Sequence, residues 1–207
     1  MSRGRFITLE GGEGVGKSTQ AKALAQALRS RGLDVLVTRE PGGSDGAERI
    51  RELLLAGAEE RWGAPAEALL FAAARADHVE KVIRPALESG RWVLCDRFVD
   101  SSLAYQGGAG GLGIEHVRSI NVLAIGDVFP DQTLVLTADQ GVERARARDS
   151  GAGDRIGGRS DDYHRKVEAA FRIIAAEEPE RVQLIDASGS AEEVTKRLLD
   201  AIADLLP

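Results

Sequence analysis

Gly11, Gly16, Lys17 and Ser18 stand in the stretch EGGEGVGKST at the spacing of a phosphate-binding loop, with an apolar run before them and a helical pattern after. Glycines at 11, 12, 14 and 16 let the backbone turn its N–H groups toward phosphate oxygens. The positive end of the following helix adds to that field. Lys17 is placed to neutralise the outer phosphates and Ser18 to ligate magnesium. The run Gly11, Gly12, Glu13, Gly14, Val15, Gly16, Lys17, Ser18, Thr19 is therefore expected to bind a nucleoside triphosphate. A bare glycine turn with a solvated lysine is the competing reading; the agreement of eight positions and both flanks weighs against it.

A second set of residues follows other apolar runs. Asp96 comes directly after Trp92-Val93-Leu94-Cys95, where a carboxylate holds magnesium or its waters, or else caps a helix. Arg97 beside it offers a fork suited to a second phosphate. Tyr105 and Gln106 lie on the next turn or helix, within reach of a sugar and a base. Arg39 and Glu40, at the end of another apolar run, face the same crevice or form a surface ion pair. Phe71 and Arg75 are four apart on one helix face, a stacking ring beside a guanidinium, as a pyrimidine pocket requires. Taken alone, that pair fits a core phenylalanine and a solvated arginine better. From Arg144 to Arg159 five arginines alternate with alanines and then glycines, the composition of a closing lid over about 141–160. Asp139 is a candidate cap for the helix that carries Arg144, Arg146 and Arg148, and Arg155 lies beyond the glycines. Arg146 and Arg159 fit a solvated basic loop as well as a ligand contact.

These residues need a scaffold that gathers strand ends. Short apolar runs at Phe6–Leu9, Val35–Val37, Trp92–Cys95, Thr133–Leu136 and Val182–Ile185 read as buried strands. Helical patterns fill Thr19–Ser30, Ala47–Ala56, Pro65–Glu88, Ile114–Ile125, Asp161–Glu178 and Ala191–Leu206. The alternation predicts an α/β fold of the P-loop NTPase kind, with a five-stranded parallel sheet flanked by helices on both faces. Ligands of such sheets bind at the carboxyl ends of the strands. Neither repeat nor long linker interrupts residues 1–207, so one domain is expected.

Composition narrows the ligand class. Hydrophobic residues make up 43% and charged residues 29%, ordinary for a globular protein. The net charge of −6 argues against bulk nucleic-acid binding, so positive charge for an anionic ligand has to be local. No apolar run is long enough to span a membrane, and the N-terminus lacks a signal-peptide pattern. A lone cysteine, Cys95, fits a reducing cytoplasm. His78, His116 and His164 make no zinc spacing with it.

With these residues in hand, the chain closely resembles the bacterial thymidylate kinase family from Phe6 to the last helix. The resemblance rests on Asp96-Arg97-Phe98, Ser101-Ser102 and Ala104-Tyr105-Gln106, with the phosphate loop and REPGGS in support. It implies ATP-dependent conversion of dTMP to dTDP with Mg2+, in a cytoplasmic homodimer. It also implies roles. Glu13 meets the sugar 3′-hydroxyl, Arg97 and Arg39 the acceptor phosphate, and Phe71 stacks on thymine with Arg75 at its 4-carbonyl. Ser102 and Gln106 lie beside the base, Tyr105 crowds the 2′ position, and Tyr163 touches the acceptor. Arg155 is the implied lid arginine at the transferring phosphoryl, with Arg144 near adenine. Phe98 departs from the family's usual tyrosine or histidine, and Gly110 from a frequent arginine.

Rival readings remain. A GTPase switch would need an Asn-Lys-x-Asp motif, which the chain lacks. A kinase for another monophosphate or a deoxynucleoside is not excluded by the phosphate loop and lid; Phe71, Arg75, Ser102 and Gln106 argue for thymine, mostly through the resemblance. An inactive relative is at odds with the presence of Lys17, Ser18, Asp96 and Arg97.

Overall fold

The computed structural model describes residues 3–58, 61–138 and 155–207. Five strands, β1 (Phe6–Gly11), β2 (Val35–Arg39), β3 (Trp92–Asp96), β4 (Gln132–Thr137) and β5 (Val182–Asp186), form one sheet in the order β2-β3-β1-β4-β5. All four pairings are parallel. The expected strands are all present, each a residue or two longer than its apolar run. The chain moves from β1 to one edge and returns through β3 to the other side, so the carboxyl ends of β1 and β3 flank the switch point of the topology.

The sheet is buried on both faces, and its strands divide their side chains between two cores. Phe6, Val93, Cys95 and Val135 point into one, and Ile7, Leu9, Leu94, Leu134 and Leu136 into the other. Helices α1 (Lys17–Arg29) and α8 (Ala191–Ala201) cover the second face, whose described core is apolar. The first face carries buried polar groups as well. Thr8 and Thr133 share a hydrogen bond of 2.9 Å, Thr133 donates to Asp100 at 3.0 Å, and Arg181 grips both oxygens of Asp100 at 2.7 and 2.8 Å. Arg181 also binds Glu178, which holds Arg118.

The remaining helices pack over that first face: α2 (Asp45–Leu55), α3 (Ala64–His78), α4 (Arg84–Glu88), α5 (Val99–Ser102), α6 (Ile114–Ile125) and α7 (Asp161–Glu177). Ser44, Ser160 and Ser190 cap α2, α7 and α8 through their side chains, and Ser190 with Glu193 completes a capping box. The sequence pattern predicted one helix from Pro65 to Glu88, whereas the structure widens into a π-type turn at Val79–Ile83 between α3 and α4. Pro85 supplies the reason, because it has no N–H to continue the ladder. A second wide turn, Leu103–Ala109, continues α5. The last expected helix stops at Ala201, ahead of a short turn at Ala203–Leu205. Asp139 and residues 141–154 of the expected lid, with Arg144, Arg146 and Arg148, lie outside the described residues.

Asp100 is wholly buried and balanced chiefly by Arg181. Asp100→Asn is expected to lower stability by about 2 kcal/mol, because it leaves the largely desolvated Arg181 guanidinium with Glu178 as its one carboxylate partner. A urea denaturation midpoint unchanged from wild type would show that the pair adds nothing.

Candidate active site

A cavity of 320 Å³ opens at the carboxyl ends of β1, β2 and β3. It is walled by Glu13, Gly14, Gly16, Lys17, Ser18 and Thr19 of the loop after β1, and by Phe71, Arg75, Ser102, Tyr105 and Gln106, with Asp96, Arg97 and Ser101 in the wall as well. Arg39, Glu40, Pro41, Arg51, Leu55 and Ile156 complete the lining. The two groups of residues chosen from sequence therefore face a single space.

At the loop after β1, Gly16 adopts φ +96° just before α1, a conformation that a side chain would strain. This lets the chain enter the helix with its first-turn N–H groups free of intrahelical partners. Lys17 folds back over the loop and donates to Gly12 O at 2.6 Å and Gly11 O at 3.2 Å. Its ammonium is buried, and this desolvation, with Arg97 nearby, pulls its pKa down to about 8. Gly11 and Gly12 thus support the lysine from behind, and Val15 packs into the core under the loop. Ser18 donates to Asp96 at 2.6 Å, across from α1 to the end of β3. Asp96 is therefore a partner of the loop serine, not a helix cap.

Arg97 stands at the centre. It is the one non-glycine residue with positive φ among the described residues, at +70°. That turn costs on the order of 1 kcal/mol and swings the side chain back over the loop. Its guanidinium donates to Glu13 at 2.7 Å, Gly11 O at 3.1 Å and Ser101 Oγ at 3.1 Å. It also lies 5.0 Å from the centre of the Tyr105 ring. Arg97 in turn holds the Glu13 carboxyl down to about pKa 2. Tyr105 donates to the same Glu13 oxygen at 3.3 Å.

Behind Arg97 lies a group that the sequence reading did not single out. Glu10 accepts from Phe98 N at 2.7 Å and from Ser101 Oγ at 2.5 Å. Burial, with Asp100 nearby, raises its pKa to about 7. Phe98, the departure noted above, is fully buried and packs edge-on against Phe6 at 4.9 Å, so an apolar ring suits its place. Gly110 ends the Leu103–Ala109 turn with its N–H on Tyr105 O at 2.7 Å. A Cβ there would come 2.7 Å from Gln106 O, so a larger residue would require that backbone to shift.

Arg75 is buried rather than solvated. It donates to Glu40 at 2.7 Å, Ser102 Oγ at 2.9 Å and Phe98 O at 2.9 Å, and also to Asn121. Glu40 is held in turn by His78 at 3.0 Å, and His78 by Thr38 at 2.8 Å. Phe71, one turn before Arg75, is half-buried and forms part of the wall. Arg39 is at the cavity mouth, paired with Glu48 at 3.0 Å. The burial of Glu40, His78 and Asn121 in one network was not legible, since Arg75 lies 35 and 46 positions from Glu40 and Asn121, and His78 lies 38 and 40 positions from its partners Glu40 and Thr38.

Two residues sit elsewhere than expected. Arg155 is not in the wall: its guanidinium is buried on Glu67 at 2.6 Å and Leu54 O at 2.9 Å. The buried Glu67 carboxylate, which also takes Arg159 at 2.6 Å, draws it there. Tyr163 is behind the wall as well, donating to Tyr105 O at 2.8 Å and accepting from Arg159 at 2.5 Å.

A model of the thymidylate kinase family matches residues 9–198. The chain is 63% identical to a thymidylate kinase of Rhizorhabdus wittichii over 99% of both proteins. It is 52% identical to one of Bradyrhizobium sp. over 99% of this chain and 92% of that one. The crystal structure of thymidylate kinase from Ehrlichia chaffeensis matches it with a TM-score of 0.81 at 30% identity, over 97% of this chain and 99% of that one. A cavity bordered by the Gly-rich loop and by Phe71 and Arg75 thus coincides with near end-to-end similarity: the chain belongs to the thymidylate kinase family.

Proposed function

We propose that the chain transfers the γ-phosphoryl group of ATP to dTMP, giving dTDP and ADP. The observation that carries this is that Lys17, Arg97, Phe71 and Arg75 line one cavity. An oxygen of the dTMP phosphate attacks the γ-phosphorus as the bond to the β,γ-bridging oxygen breaks, and the electron pair leaves with ADP. The residues contribute position and charge, which is nearly all this reaction asks of a protein. Lys17 meets the outer phosphates of ATP. Arg97, with Arg39 at the mouth, meets the acceptor phosphate; Glu13 and Tyr105 take the sugar, and Phe71, Arg75, Ser102 and Gln106 the base. Arg155 reaches the transferring group only by leaving Glu67.

Magnesium fits the donor set. Ser18 and Asp96 offer one hydroxyl and one carboxylate 2.6 Å apart. Among the described residues no cluster of three or more His, Cys, Asp or Glu forms an all-protein cage. A sparse set suits an ion whose shell is completed by phosphate oxygens and water. When bound, the ion neutralises charge on the β- and γ-phosphates.

The homodimer reading is supported by exposed apolar side chains on adjoining helices: Leu53 on α2, Leu69 on α3, and Val122 and Leu123 on α6, with Leu123 88% exposed. A cytoplasmic location is in keeping with the substrates, and no helix among the described residues is long and apolar enough to cross a membrane.

ADP release from Mg-ATP against dTMP, dUMP, dCMP, AMP, GMP, thymidine and water tests the proposal. Preference for dTMP is expected; turnover only with another acceptor would discard the thymine pocket. Lys17 adds a pH signature. Phosphate needs the ammonium form, so ATP binding takes up a proton wherever the free lysine has lost one. Affinity for a non-hydrolysable ATP analogue should fall about tenfold per pH unit above the free value near 8, and Lys17→Gln should remove that slope. Calorimetric titrations at pH 7 to 10 read this directly, and equal affinity throughout would deny Lys17 the role. Leu123→Glu is expected to shift the light-scattering mass from dimer to monomer; a monomeric wild type would dismiss the homodimer.

A further inference from the structure

Glu67 lies in the first turn of α3 and is 2% exposed. It is no part of the cavity wall, yet its two oxygens divide their work. Oε2 accepts from Arg155 and Arg159, both at 2.6 Å. Oε1 accepts from the side-chain amide of Gln106 at 2.9 Å, and Gln106 does line the cavity. A carboxylate facing two guanidiniums has no proton to donate. The Gln106 amide must therefore present its NH2 group to Glu67, since the reverse assignment would press two acceptor oxygens together. The Gln106 carbonyl oxygen, which makes no hydrogen bond among the described residues, is then the atom left for a ligand.

Arg75 is constrained in the same sense. Of its five N–H groups, four are taken by Glu40, Ser102, Asn121 and Phe98 O, which leaves one on Nη2. The base end of the cavity thus offers one donor and one acceptor. A 4-keto pyrimidine presents the complement: an accepting O4 beside a donating N3–H. A 4-amino pyrimidine presents the reverse, a donating amine beside an accepting N3.

We propose that Glu67 is a positioning residue for base specificity: by holding the Gln106 amide in one orientation, it makes the pocket accept a 4-keto and reject a 4-amino pyrimidine monophosphate. The inference rests on the thymidylate kinase reading and deepens it. Glu67 touches no substrate and acts through Gln106.

The test is kcat/KM for dTMP, dUMP and dCMP in wild type, Glu67→Gln and Gln106→Met, with melting temperatures alongside. In Glu67→Gln, the new amide bonds a Gln106 of either orientation. The dTMP:dCMP ratio is expected to fall by about tenfold or more, since it rested on a buried hydrogen-bond match. The loss should lie mainly in KM for dTMP. The dTMP:dUMP ratio should stay within about threefold, because those bases share the same O4 and N3–H edge and differ by a methyl group. A merely structural Glu67 would lower all three activities together and leave both ratios in place, and that result would overturn the proposal. Gln106→Met leaves Glu67 its two arginines and should also lower the dTMP:dCMP ratio. A preserved ratio there overturns the proposal even where Glu67→Gln does not fold. A wild type without dTMP activity would sink the kinase reading itself, whereas an active wild type with unmoved ratios in the variants sinks only the role of Glu67.

Discussion

The open end of the sheet depends on one desolvated guanidinium. Arg97 is pinned between the ends of β1 and β3, touching Glu13, Gly11 O and Ser101 at once, with the Tyr105 ring beside it. Burial works against its charge, but Tyr105, Glu13, Asp96 and Glu10 outweigh it and push its pKa upward. A charge held so firmly has to be exact in position as well as in number, and the backbone accepts a left-handed turn at Arg97 to achieve it. Three of the segments that build the cavity meet this residue directly. The phosphate loop does so through Gly11 and Glu13, α5 through Ser101, and the wide turn after α5 through Tyr105.

The same need explains why the two faces of the sheet differ. The α1 and α8 face has only to support the phosphate loop, and an apolar core, mostly aliphatic with Trp92, suffices. The opposite face has to hold Arg75 and Arg97 in the cavity wall, so its interior carries Glu10, Asp100, Thr8 and Thr133 beneath the helices. Each has a partner of fixed geometry. Glu10 takes Phe98 N and Ser101, and Asp100 takes Arg181 and Thr133. These bonds favour one arrangement of the Val99–Ala109 segment over others that would pack equally well. Burying charge for the sake of one arrangement is a poor route to stability and a good one to position.

How far this was legible in the sequence follows from the distance between partners. The phosphate loop is local: its glycines, lysine and serine lie within eight positions, and the strand and helix around it are carried by simple hydrophobic period. All five strands were legible for the same reason. The Val99–Ala109 helix was not, because its wide turn and its glycines at 107 and 108 break the period that marks a helix. Phe71 and Arg75 were visible as a pair on one face, but nothing nearby revealed that Arg75 would be buried. That depends on Glu40, Ser102 and Asn121, which approach from three other parts of the chain. Glu67 was hidden more deeply, since a glutamate in the first turn of a helix is already explained by the helix dipole.

An acidic chain that handles polyanions has to keep the positive groups of its cavity aimed without neutralising them. Carboxylates do this here from behind: Glu13 and Arg97 form a pair that still borders the cavity, and Glu40 orients an Arg75 with one donor in reserve. Lys17 is handled differently, held by the carbonyls of Gly11 and Gly12 rather than by a carboxylate. Carbonyl oxygens orient an ammonium while leaving its full charge for an incoming phosphate. A carboxylate in their place would have to be displaced each time the ligand bound. The division follows from what each group must do. Around Arg75, the buried Glu40 carboxylate can stay in place and serve as a fixed reference. Around Lys17 the support is two carbonyl dipoles, which need no rearrangement when a counter-charge arrives.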